Sequence, residues 1–162
     1  MDAPPGTALW EFLSRGEAET LGLGRRLGAA CTGGEVILLE GPLGAGKTRL
    51  AGGLAQGLGI ARPLASPTYV ILRTYESPRG LTLHHLDFYR LSGDADLETV
   101  GLEDCLGERS VIVAEWPERC PHAFDAWTLL LKINFADDES RRLTAHRGAL
   151  TLPEAFQTAG EG

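Results

Sequence analysis

Gly41-Pro42-Leu43-Gly44-Ala45-Gly46-Lys47-Thr48 satisfies every fixed position of the pattern G-x-x-x-x-G-K-[ST]. Its glycines let the backbone curl until consecutive N–H groups face one anion. Lys47 adds a charge for β- and γ-phosphates, and the Thr48 hydroxyl is a ligand for Mg²⁺. A helix starting at Gly46–Lys47 would aim its positive dipole end at the same phosphates. A Mg²⁺-nucleotide site also needs an acid at the carboxyl end of a strand, and the chain offers two. Asp87 follows Leu83-His84-His85-Leu86, and Glu115 follows Val111-Ile112-Val113-Ala114. One would hold the metal while the other orients the attacking water or the metal's shell. The second run is the more apolar, as expected of the strand beside the phosphate-loop strand.

These residues need a frame. Val36-Ile37-Leu38-Leu39 reads as a buried parallel strand leading into the loop, and Leu50, Ala51, Leu54, Ala55 and Leu58 continue out of it at helical spacing. Upstream, Ser14-Arg15-Gly16-Glu17 has the form of a capping box opening a helix to about Ala30. Tyr69 to Glu76 and Leu81 to Asp87 are expected to form a hairpin about the turn Ser77-Pro78-Arg79-Gly80. Asp94 to Leu106 suggests one or two short helices. Thr128 to Phe135 and Arg141 to His146 suggest a second hairpin, and a short helix is expected near Pro153. The whole reads as an α/β fold, a three-layer α/β/α sandwich of the P-loop NTPase type with a mixed sheet. Residues 1–162 are expected to be one domain, with 1–8 and about 149–162 as tails.

Composition narrows the partners. A net charge of −7 argues against a general nucleic-acid binder, which needs excess Lys and Arg. Cys31, Cys105 and Cys120 have no metal-ligand spacing and read as buried reduced thiols. No basic start, apolar leader or membrane-length run is present, so a cytoplasmic protein without a membrane partner is expected. His84 and His85 read as solvated or satisfied strand histidines, and Arg141, Arg142 and Arg147 as a solvated face.

Neither the guanine-reading N-K-x-D signature nor L-S-G-G-Q occurs. Four stretches, in order, instead carry a resemblance: L-E-G-P-L-G-A-G-K-T ending at Thr48, Ser66-Pro67-Thr68-Tyr69, His85-Leu86-Asp87-Phe88-Tyr89-Arg90-Leu91, and Glu115-Trp116-Pro117-Glu118. Together they resemble the TsaE family, formerly YjeE, bacterial ATPases required for threonylcarbamoyladenosine in tRNA. The resemblance spans about Ser14 to Arg142.

That resemblance implies roles. Thr48 and Glu115 match the Mg²⁺ positions. Gly41, and Gly44, Ala45, Gly46, Lys47 and Thr48, match those around the ATP phosphates. Asp87 matches an acid needed for activity, and Trp116 its neighbouring tryptophan. Ser66, Pro67 and Thr68 match a switch-like loop sensing the γ-phosphate. Glu17, Ser140 and Arg141 fall where the family touches the base and sugar end. Pro42 departs from the family's Asp or Asn, and it has no N–H to give a phosphate. The implied activity is Mg²⁺-dependent ATP hydrolysis, weak alone and stimulated by the partners TsaD and TsaB, with tRNA met indirectly or through a local contact. A small-molecule kinase and a nucleotide-binding module without hydrolysis remain alternatives. Because no guanine-specific carboxylate motif is present, ATP is expected to outcompete GTP. Equal or tighter GTP affinity in competition binding contradicts this reading.

Overall fold

The computed structural model describes residues 4–65 and 70–161. Its seven strands form one mixed sheet in the order β1-β7-β6-β2-β5-β4-β3. They are β1 (Ala8–Ser14), β2 (Val36–Glu40), β3 (Leu72–Glu76), β4 (Thr82–Asp87), β5 (Ser110–Glu115), β6 (Leu129–Phe135) and β7 (Arg141–Arg147). The four central strands β6, β2, β5 and β4 are mutually parallel, and β3, β7 and β1 join antiparallel to their neighbours. Both expected hairpins are present, and β5 does lie beside β2.

The unbroken apolar run of β2 follows from burial on both faces. Ile37 and Leu39 face α1 (Glu17–Ala30) and α2 (Lys47–Gly57), while Val36 and Leu38 pack into a second cluster with Phe88, Leu91, Leu102 and Cys120. That second face is covered by short 3-10 segments, Asp94–Thr99, Leu102–Cys105 and Pro117–Arg119, rather than by long helices. The three cysteines are buried and free, and burial pushes their thiols up. No helix among the described residues is long and apolar enough to cross a membrane.

Four expectations change. Residues 8–14 are an edge strand paired to β7, and the Gly6 amide donates to the Arg147 carbonyl at 2.7 Å, so the first residues described are not a tail. Ser14 does not cap a helix. It ends β1 fully buried, bonded to the Gly16 carbonyl and the Thr20 hydroxyl at 2.8 and 2.7 Å, while Glu19 receives the Arg15 amide at 2.8 Å. The stretch after Gly148 also packs inward. Leu152 and Phe156 join the helix-side core, and the Trp10 indole donates to the Phe156 carbonyl at 2.8 Å. The hairpin strand expected from Tyr69 starts at Leu72, and Tyr69 itself lies outside the described residues.

Two pairs of glycines let α1 and α2 touch backbone to backbone. A Cβ on Gly24 or Gly28 would lie 2.4 or 2.1 Å from the Leu50 or Leu54 carbonyl oxygen. One on Gly53 or Gly57 would lie 2.3 Å from the Leu21 or Arg25 oxygen. Arg79, from the β3–β4 turn, donates to the Gly28 and Cys31 carbonyls at 3.0 and 2.6 Å, a cation placed at the carbonyl end of α1, where Gly28 also accepts the Cys31 amide at 3.2 Å. Gly28→Ala must therefore push the helices apart, at a cost of about 1–3 kcal/mol. At ~2–4 °C per kcal/mol, its melting temperature should fall by several degrees. Gly22→Ala, where a Cβ meets only the flexible end of Arg26 at 3.9 Å, should be neutral or stabilising. Equal melting temperatures for Gly28→Ala and the parent protein would contradict the close-packing account.

Candidate functional site: a phosphate loop and two acids

The loop between β2 and α2 needs glycine at Gly44 and Gly46, whose φ angles of +80° and +108° side-chain-bearing residues rarely adopt. Gly46 is the N-cap of α2, so that helix begins where its first amides face the loop's hollow. Pro42 takes part through its oxygen, which accepts the Ala45 amide at 3.1 Å and the Lys47 ammonium at 3.2 Å. Lys47 also donates to the Gly41 carbonyl, and its Nζ lies 3.7 Å from the centre of the Trp116 ring. Burial lowers its pKa from the ordinary lysine value, against the pull of Glu115, Glu118 and Asp87. Among the described residues the ammonium bonds only carbonyls and a ring face, which leaves it able to meet an anion.

Both acids end strands at the same edge of the sheet, where open α/β folds bind ligands. Asp87 of β4 and Glu115 of β5 are register partners, and Leu39 of β2 pairs with Glu115 on its other side. Glu115 is 2% exposed. Its Oε1 accepts the Thr48 hydroxyl at 3.0 Å, and its Oε2 lies 2.6 Å from His85 Nε2. Asp87 is less enclosed, and its Oδ1 accepts the Tyr89 amide at 2.9 Å. Burial raises its pKa above the ordinary carboxylate value, with the Tyr89 bond opposing. Hard oxygen donors from Thr48, Glu115 and Asp87 suit Mg²⁺.

Trp116 is the only non-glycine among the described residues with positive φ, at 58°. Its amide donates to the Leu39 carbonyl at 3.3 Å, and its ring packs on Tyr89 with centroids 4.9 Å apart. Backbone held in this region costs about 1–3 kcal/mol and tends to mark working sites. Here it turns the indole over Lys47.

The loop borders a cavity of about 620 Å³, within the ~300–1,000 Å³ range of small-molecule sites. Gly44, Ala45, Gly46, Lys47, Thr48, Asp87, Glu115, Trp116 and Glu17 all line it. Glu17 pairs across the helices with Arg49 at 3.2 Å, both well exposed. Arg62 lines the cavity too, its guanidinium 4.7 Å from the centre of the Tyr75 ring. Ser140 and Arg141 do not line it. They sit where β6 turns into β7, with Arg141 4.2 Å over the Phe135 ring, and that ring is the nearest neighbour a Cβ on Gly44 would meet. Ser66, Pro67 and Thr68 lie outside the described residues. Sequence reasoning missed His85 as a partner of Glu115. The signal was the alternation of β4, which puts His85 and Asp87 on one face.

Strand, glycine loop, helix and two strand-end acids define a phosphate-loop nucleotide-binding protein. The family model described as "Threonylcarbamoyl adenosine biosynthesis protein TsaE" matches residues 14–144, and the chain belongs to this family. It is 40% identical to the tRNA threonylcarbamoyladenosine biosynthesis protein TsaE of Streptomyces coelicolor, over 85% of this chain and 93% of the relative. With the protein of the same description from Treponema pallidum it shares 36% identity over 82% of this chain and 96% of that one. The crystal structure of YdiB from Bacillus subtilis superposes with a TM-score of 0.68 at 27% identity, covering 90% of this chain and 88% of the other.

Lys47→Ala removes the loop's ammonium while leaving Gly44 and Gly46 to set its path. Nucleotide affinity is expected to drop by at least about tenfold, since hydrogen bonds to charged groups contribute about 1.5–3 kcal/mol. Calorimetric titration with ATP checks this, and parental affinity would contradict the role given to Lys47.

Proposed function

We propose that this chain is a Mg²⁺-dependent ATP hydrolase of tRNA threonylcarbamoyladenosine biosynthesis, slow alone and stimulated by assembly with TsaD and TsaB in the cytoplasm. The observation that carries the reading is the Thr48 hydroxyl bonded at 3.0 Å to the Glu115 carboxylate, at the mouth of a glycine loop with Lys47 beside it. Thr48 and Glu115 would hold the metal, directly or through water. When bound, Mg²⁺ supplies charge neutralisation to phosphate oxygens.

The chain's own residues do the rest. Loop amides and the α2 N-terminus bind the phosphates, and Lys47 leaves the Trp116 face to meet the β- and γ-phosphates. Asp87 orients the attacking water: it is close to Glu115, less enclosed, and poised by burial toward accepting a proton. Glu17 on the rim, with Ser140 and Arg141 near the loop, would meet the base and sugar end. Ser66, Pro67 and Thr68 would sense the γ-phosphate.

Dependence on partners has physical support. Arg49 is engaged by Glu17 and Arg62 by Tyr75. In related hydrolases, delivery of an arginine to the γ-phosphate raises turnover by about 10³–10⁵-fold. The charge of −7 suits a subunit that leaves most of the tRNA to other chains. Steady-state ATP turnover of the chain alone should be slow and should rise at least about tenfold with purified TsaD–TsaB, within what such completion of a site can supply. Asp87→Asn should keep nucleotide binding and lose turnover, and Thr68→Ala should lose only the stimulated part. Fast turnover alone, unresponsive to the pair, would overturn the reading.

A further inference from the structure

His85 is 2% exposed, and its ring reaches diagonally from β4 to the end of β5. Leu83 faces the α1/α2 side of the sheet, so strand alternation points His85 and Asp87 to that side as well. In the register, His85 stands opposite Val113, two residues before Glu115. From there Nε2 lies 2.6 Å from Glu115 Oε2, while Oε1 of the same carboxylate meets Thr48 at 3.0 Å. Thr48 also reaches Oε2, at 3.3 Å, so that oxygen is shared between His85 and Thr48 while Oε1 takes the shorter Thr48 contact. Without the His85 contact, the carboxylate could rotate about its last torsion, which is broad and roughly two-fold. A half-turn only exchanges two equivalent oxygens, but intermediate angles carry both away from Thr48.

We propose that His85 is a positioning residue for the metal: by holding Oε2 it fixes the face that Glu115 turns toward Thr48, and so sets the affinity of the nucleotide-bound site for Mg²⁺. The proposal rests on the reading of Thr48 and Glu115 as the metal's holders. It differs from a purely structural role, in which His85 would satisfy a buried carboxylate with no effect on metal binding. Groups behind a metal's ligands commonly change its affinity by about 10–100-fold when removed.

Glutamine and asparagine separate the two roles. In His85→Gln the amide nitrogen stands as many bonds from the backbone as Nε2 does, and so keeps a donor for Oε2. In His85→Asn the amide stands where Nδ1 was and falls short. The measurement is binding of a fluorescent ADP, in EDTA and across a Mg²⁺ titration, with thermal melts of each variant. In EDTA all three proteins should bind alike. The Mg²⁺ concentration for half-maximal effect should match the parent in His85→Gln and rise about tenfold or more in His85→Asn. A parental Mg²⁺ response in His85→Asn, or an equal loss in His85→Gln, overturns the proposal while leaving the metal reading intact. If the parent itself shows no Mg²⁺ effect, the metal reading fails and the proposal with it. Should His85→Asn not fold, the His85→Gln response still decides, because loss of Mg²⁺ affinity there contradicts a preserved contact.

Discussion

A carboxylate buried at the end of an apolar strand is costly unless it is fully partnered, and Glu115 is such a group. Its partners come from different parts of the chain: Thr48 from the first turn of α2 and His85 from β4. One side chain therefore ties the phosphate loop to two neighbouring strands. The backbone repeats the tie, with the Glu115 carbonyl accepting the Phe88 amide at 3.0 Å and Leu39 accepting that of Trp116 at 3.3 Å. Because β2, β5 and β4 are parallel and in register, the loop, Glu115 and Asp87 arrive at one edge together.

The helices hold that arrangement from one side. Close backbone contact through Gly24, Gly28, Gly53 and Gly57 fixes α2 against α1, and α2 carries Lys47 and Thr48 at its start. On the other side, the left-handed Trp116 ahead of Pro117 is held by Leu39, Tyr89 and Lys47. Strain at Trp116 and burial at Lys47 are both offset by the frame. Together they keep a cation and an aromatic ring in contact at the cavity floor.

The loop and its flanks were legible in the sequence because their signals are local: an apolar run, glycines where φ turns positive, then helical spacing. The order of β2 and β5 followed from how apolar each strand is. Edge strand β1 was not legible, since its partner β7 lies more than a hundred residues away and the Ser14–Glu17 pattern imitates a helix start. The packing of Phe156 against Trp10 is equally long-range. Glu17 lines the cavity, whereas Arg141 stands over Phe135 beside the loop and Ser140 belongs to the turn between β6 and β7. His85 was hidden for a different reason. The alternation of β4 puts it on the face of Asp87, but that its partner is Glu115 depends on the register with β5, which no spacing within one strand encodes.

The central claim is that Glu115 couples the phosphate loop to a divalent cation, and Glu115→Gln tests it directly by keeping the shape and removing the charge. Nucleotide affinity of this variant should be measured by calorimetry with and without Mg²⁺. The account predicts that metal-free affinity is retained while the gain on adding Mg²⁺ is largely lost. An undiminished gain in the variant would contradict it.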